Sequence, residues 1–156
     1  MTTAPFTLQE GTTLVSGTVP HAGLIATTKD FVDRRLSPPI ETPEGWLMIY
    51  HGVRQTASGC VYRIGLALFD REAPERCLVR GDSWVFAPEA LYERDGDVAN
   101  VVFPCGFTLG LDNDALNLYY GEGDTCIGLA TASVRALVGW LMRHGDTPRA
   151  PAVGRV

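Results

Sequence analysis

Short apolar runs, each closed by Gly, Pro or Asp, recur along this chain and point to an all-β fold. Two units carry the pattern most clearly. Gly45 to Leu66 reads GWLMIYHGVRQTASGCVYRIGL, two apolar strand patterns around a polar loop. His51 leaves the first strand of this unit and Tyr62 opens the second. Leu116 to Ala130 reads LNLYYGEGDTCIGLA, the same plan with a Gly-Glu-Gly-Asp turn at 121–124 in place of the His. Ala22-Gly-Leu-Ile-Ala26, Ile64-Gly-Leu-Ala-Leu68 and Ile127-Gly-Leu-Ala-Thr131 share an apolar-Gly-Leu-x-Ala core, at irregular spacing compatible with propeller blades plus insertions. The simpler reading of that core is convenient strand filler. Strands are expected near Thr12–Val15, Ala22–Thr27, Trp46–His51, Tyr62–Phe69, Trp84–Ala87, Val101–Leu109, Leu116–Tyr120 and Ile127–Ala132.

Two turns separate these strands. Asp70-Arg-Glu-Ala-Pro74 and Asp112-Asn-Asp114 carry short side chains that bond back to the backbone, and Pro fixes φ. After the last strand the period changes. Val134, Leu137, Val138 and Leu141 stand at i, i+3, i+4 and i+7, one face of a helix. Ser133 is the expected N-cap, and Gly145 follows Arg143 and His144 at the far end. The chain is thus expected to divide into N-terminal strands at 1–37, sheets and a closing helix at 38–145, and a flexible tail at 146–156.

Composition excludes several function classes. The chain has 156 residues, 46% of them apolar and 20% charged, enough for one domain with a sizeable core. Of the 13 cationic residues all but Lys29 are arginine, and they are scattered, with a net charge of −5. No basic stripe exists to neutralise phosphates, so a nucleic-acid partner is not expected. No apolar run is long enough for a transmembrane helix, and the opening MTTAPFTLQEG lacks the charged and apolar regions of a signal peptide. Cys60, Cys77, Cys105 and Cys126 lie apart with no C-x-x-C pair, so buried reduced thiols in a cytoplasmic protein are expected rather than a metal site.

Strand–loop–strand repeats with polar side chains at strand ends are how β-propellers build a sugar site at the mouth of the central channel. His51 either caps its strand or presents an imidazole to an anion. If the following loop folds back, Tyr62 and Arg63 set a phenol and a cation beside it. Asp124 is either a plain turn residue or a carboxylate accepting paired hydrogen bonds from sugar hydroxyls, and Glu122 shares that ambiguity. Glu93, Asp95 and Asp97 form a solvated acidic turn or, alternatively, supply the two opposed carboxyl groups that glycosidic cleavage needs. Cys105 lacks a nearby His and reads as a structural thiol. No phosphate loop, dinucleotide fingerprint, H-E-x-x-H or G-x-S-x-G is present.

These segments together resemble glycoside hydrolase family 130, the five-bladed propellers that include β-mannoside phosphorylases. The matching stretches are Pro38–Gly52, Tyr62–Asp70, Gly96–Gly106 and Tyr119–Ser133, in order, within roughly Pro38 to Leu141. The resemblance implies a partial five-bladed β-propeller, about two to three blades, with a C-terminal helix. It also implies phosphorolysis or hydrolysis of β-mannosidic bonds, with inorganic phosphate as co-substrate and no cofactor or metal. His51 and Tyr62 are similar to the residues lining the phosphate side, and Asp124 to the carboxylate that holds the sugar. The family's acid and its phosphate arginines lie in blades this chain does not match. Val32-Asp-Arg-Arg-Leu-Ser37 stands where the family has a phosphate lysine, and Glu41 where a basic residue is common. A general acid from outside this chain is therefore expected, together with a homo-oligomer or partner chain covering exposed blade faces. The alternative is a non-catalytic carbohydrate-binding or remnant fragment.

Overall fold

The β3–β4 hairpin, Gly45–Thr56 against Gly59–Phe69, forms the spine of the structure. The computed structural model of the protein describes residues 7–8, 37–57 and 59–147. In chain order the described elements are β1 (Thr7–Leu8), β2 (Ile40–Thr42), β3, β4, β5 (Cys77–Gly81), α1 (Leu91–Arg94), β6 (Val102–Leu109), β7 (Ala115–Glu122), β8 (Cys126–Ser133), α2 (Val134–His144) and β9 (Gly145–Asp146). They make two antiparallel sheets. One runs β2-β3-β4-β5-β9 and the other β1-β8-β7-β6.

Each sheet is a meander of neighbouring strands with one borrowed edge. β9, from the end of the described chain, pairs Arg80 with Asp146 and Gly81 with Gly145. β1 pairs Thr7 with Thr131 and Leu8 with Ala130. Borrowed edges matter because an open strand edge offers unpaired N–H and C=O groups to any passing chain.

Alternation on the strands builds the core between the sheets. Leu47 and Ile49 of β3 and Ile64, Leu66 and Leu68 of β4 face Val102, Leu116, Leu118, Tyr120 and Ala130 of the other sheet. α2 closes the cleft with Val134, Leu137, Val138, Trp140 and Leu141. Its start is fixed as the sequence predicts: Ser133 Oγ accepts from Ala136 N at 3.1 Å. Asp114 adds a second cap, accepting from Arg135 N at 2.9 Å and from Ser133 Oγ at 2.9 Å. A carboxylate there also suits the positive end of the helix dipole, and the Arg135 guanidinium bonded to it, with the bonds from Arg135 N and Ser133 Oγ, holds Asp114 down at a pKa of about 2. A smaller cluster, Tyr50, Ala67 and Phe69 with Trp46 and Met48 beside them, lies on the other face of the hairpin.

The two expected turns form through the expected bonds. Asp70 Oδ1 accepts from Glu72 N and Ala73 N, and Asp112 Oδ1 from Asp114 N and Ala115 N. Other expectations need correction. β3 does not end at His51: both strands run on to Thr56 and Gly59, so the polar loop is itself a β-ladder. Trp84–Ala87 makes only a single bridge, Ile64 with Phe86, while β5 and the one-turn α1 appear where no element is expected. The cysteines are free thiols, but none is fully buried and Cys60 is exposed. The strands expected at Thr12–Val15 and Ala22–Thr27 lie outside the described residues. So do Val32–Leu36 and most of the expected tail.

Candidate functional site

His51 and Tyr62 meet because the hairpin pairs His51 with Ile64 and Val53 with Tyr62, placing both rings on one face. Their ring centroids are 5.6 Å apart. His51 is buried, and Phe103 of β6 approaches it edge-on, with centroids 6.3 Å apart. The ring of Phe103 in turn occupies the space a side chain at Gly121 would need. A half-buried phenol beside a buried imidazole gives donors for an oxyanion at the seam between the sheets.

Arg63 does not join them. Its guanidinium lies 3.5 Å above the ring of half-exposed Trp84. The reason is the pleat: successive residues on a strand point to opposite faces, so Tyr62 and Arg63 cannot both flank His51.

Asp124 sits on the β7–β8 turn, exposed, in the left-handed region at φ 55. Several bonds hold that turn. Thr125 N donates to Glu122 O, Gly123 N to Val101 O, and Val98 N to Gly123 O, each at 3.0 Å. Thr125 Oγ1 accepts from Asp97 N at 3.0 Å. The link from Asp124 to the His51–Tyr62 pair runs through this loop, where Asn100 O accepts from Tyr62 N at 3.2 Å.

The other carboxylates separate sharply. Asp95 and Asp97 are exposed. Glu93 is wholly buried and its oxygens are taken: Oε2 accepts from Glu89 N at 2.6 Å and Ala90 N at 2.8 Å, and Oε1 from Tyr120 Oη at 2.8 Å. A pair of opposed acid and base groups is therefore not formed by this loop. Glu122 is no turn surface residue either. It is buried, its Oε2 accepting from Cys126 Sγ at 3.5 Å. Burial pushes its carboxyl above the usual range, and the charge of Glu93 adds to the shift. Cys105 is half-buried, as a structural thiol would be. Among the described residues no cluster of three or more His, Cys, Asp or Glu stands ready to hold a metal ion. Nor is any described helix long and apolar enough to cross a membrane.

Sequence reasoning missed Phe103, Asn100 and Trp84. Phe103 is spaced as an ordinary strand residue. Asn100, at φ 61, did carry a signal, because Asn is the residue that most readily takes a left-handed turn after Gly.

Comparison with known proteins places these features in context. Residues 35–143 match the model of glycoside hydrolase family 130, described as beta-1,4-mannooligosaccharide phosphorylase. The chain is 38% identical over 108 residues to the beta-1,4-mannooligosaccharide phosphorylase of Ruminococcus albus, covering 69% of this chain and 32% of that protein. It is 44% identical over 93 residues to the beta-1,2-mannobiose phosphorylase of Thermoanaerobacter, covering 60% and 29%. The solved beta-1,2-mannobiose phosphorylase of Listeria innocua, in complex with beta-1,2-mannobiose, superposes with a TM-score of 0.63 at 33% identity. The superposition covers 70% of this chain and 30% of that one. The two sheets are thus adjoining parts of a propeller. The chain spans about a third of the length of the curated relatives it matches.

Proposed function

Because the chain belongs to glycoside hydrolase family 130, we propose that it supplies one side of a β-mannoside phosphorylase site. His51 and Tyr62 hold inorganic phosphate, and Asp124 holds hydroxyls of the mannosyl unit. The observation that carries this reading is the pairing of the two rings, 5.6 Å apart, at the seam of two propeller sheets. In the reaction a phosphate oxygen forms a bond to the anomeric carbon as the glycosidic C–O bond breaks. The proton for the departing oxygen comes from an acid outside the described residues, and the product is mannose 1-phosphate of inverted configuration. Holding phosphate in line with the anomeric carbon is the chief contribution of such donors. The remaining wall comes from a second copy or a partner chain that covers the open blade faces. A monomer in light scattering at working concentration would remove that part of the reading.

The test is incubation with β-1,4- and β-1,2-mannobiose, with and without inorganic phosphate. Phosphate-dependent mannose 1-phosphate is the expected product. His51→Ala should then raise the phosphate requirement about tenfold or more, the loss of one charge-assisted hydrogen bond. Asp124→Ala should act on the mannoside instead. Saturable mannobiose binding without cleavage favours the second reading, a carbohydrate-binding fragment; the full occupation of Glu93 by hydrogen bonds is the observation on its side.

A further inference from the structure

The loop from Ala90 to Val101 touches both halves of the candidate site, and we propose that Glu93 is the positioning residue that fixes their separation. The inference rests on the reading of Tyr62 and Asp124 given above. Three donors converge on the Glu93 carboxylate: two backbone N–H groups and the Tyr120 hydroxyl. Burying a carboxylate is costly unless such donors satisfy it. Here they do, and they peg a one-turn helix too short to hold itself.

From that peg a run of backbone hydrogen bonds leads both ways. Glu93 O accepts from Val101 N at 3.2 Å, and Val101 O accepts from Gly123 N at 3.0 Å, next to Asp124. One residue earlier, Asn100 O accepts from Tyr62 N at 3.2 Å. Asn100 and Asp124 are both left-handed, at φ 61 and 55. Such conformations persist only where the surroundings determine them. Gly123 is wedged as well: a side chain there would meet Tyr92 O at 2.9 Å. The loop therefore behaves as a spacer bar between the phosphate side, on β4, and the sugar side, at the β7–β8 turn. Glu93 is its one buried polar anchor, with Val101 buried at the far end.

Amide hydrogen exchange on the full chain tests this without any ligand. In Glu93→Ala the amides of Tyr62, Val98, Val101 and Gly123 should lose at least tenfold in protection, while Leu118 and Ala130 in the ladder keep theirs. Glu93→Gln keeps the shape and two of the acceptor bonds, so it should restore most of the protection. Tyr120→Phe removes a single donor and should give a smaller loss at the same four amides. Mannobiose affinity should fall in the order of these losses. If Glu93→Ala fails to fold, the Gln and Phe variants decide. Unchanged protection at the four amides in both, or loss spread evenly over the ladder, overturns the proposal. Local loss of protection without any mannoside binding would retain Glu93 as the anchor and overturn the reading of the site instead.

Discussion

Two hairpins in this molecule solve the same packing problem with opposite chemistry. In β3–β4, Tyr50 lies across Gly65; in β7–β8, Tyr120 lies across Gly128. In both a side chain on the glycine would collide with the phenol ring, at 2.8 Å from Tyr50 Cζ and 2.7 Å from Tyr120 Cζ. This cross-strand pair explains the apolar-Gly-Leu-Ala core shared by β4 and β8: the glycine makes room for an aromatic on the neighbouring strand. The phenols then diverge. Tyr50 Oη accepts from Arg80 Nε at 2.9 Å near the surface, whereas Tyr120 Oη donates to a wholly buried carboxylate. One position further along, His51 stands where the second hairpin has Gly121, and then Gly52 where it has Glu122. One scaffold therefore presents an imidazole and the other a glycine that admits the ring of Phe103. A repeat fixes the frame, and one difference beside the cross-strand tyrosine, His51 against Gly121, sets what each hairpin presents.

The strongest challenge to this comparison is alanine at each glycine. Gly128→Ala would also press on Glu122 Oε1, which like Tyr120 is buried and has nowhere to go. Overpacking of this kind costs about 1–3 kcal/mol, against a gain of about 0.4–1 kcal/mol from a stiffer unfolded chain. Gly128→Ala should lose about 2 kcal/mol net in urea denaturation, and Gly65→Ala, whose nearest atoms all belong to Tyr50, less. Equal losses would mean the two pairs are equally enclosed.

Removing the hydroxyls should sharpen the contrast at smaller amplitude. Tyr120→Phe deprives a buried carboxylate of one donor, worth about 1–3 kcal/mol. Tyr50→Phe breaks a bond to an arginine that water can serve instead, and should fall within about 0.5 kcal/mol of the parent. A larger loss for Tyr50→Phe would reverse the assignment.

The smallest effect is a pH trend at the end of the second hairpin. Burial raises the Glu122 carboxyl above its ordinary value, so the folded protein holds that proton more tightly than the unfolded chain does. Stability from this group is then complete below the ordinary carboxylate range and declines as pH rises through the raised value. Glu122→Gln should gain on the parent over that rise, read from urea midpoints between acid and neutral pH. A trend of opposite sign would show a carboxylate stabilised in its charged form.

Much of the β8-β7-β6 ladder was legible in the sequence, because its strands are short, carry buried apolar residues and are ended by turn residues. The closing helix was too, since its apolar face must meet the core and Ser133 caps it. The extension of β3–β4 beyond His51 was not. There the hairpin leaves the core, residues 53 to 60 are exposed on both faces where described, and alternation has nothing to record. α1 has four residues, too few for a helical period, and β5 has no buried residue, only half-buried ones and exposed Arg80. Of the site, His51 and Tyr62 were readable as polar residues next to apolar runs, although both lie inside their strands. The turning away of Arg63 follows from the pleat once the strand is known to continue. The burial of Glu93 and Glu122 depends on which loop lies over which sheet, and no local pattern encodes that.

The borrowed edges have a kinetic consequence. Leu8 pairs with Ala130, and Gly81 with Gly145, so each sheet receives its last strand from a distant stretch of chain. During synthesis β1 emerges long before the strand it covers, and β5 keeps an open edge until α2 has been made. The β1-β8-β7-β6 sheet can therefore be completed once β8 is made, and the β2-β3-β4-β5-β9 sheet only after α2 and β9. Closing such loops must precede the contacts that reward them, which favours slow folding. A ribosome-bound chain halted before β8 would show two unfinished edges together, on β7 and β5, the stage at which this molecule has most need of a chaperone.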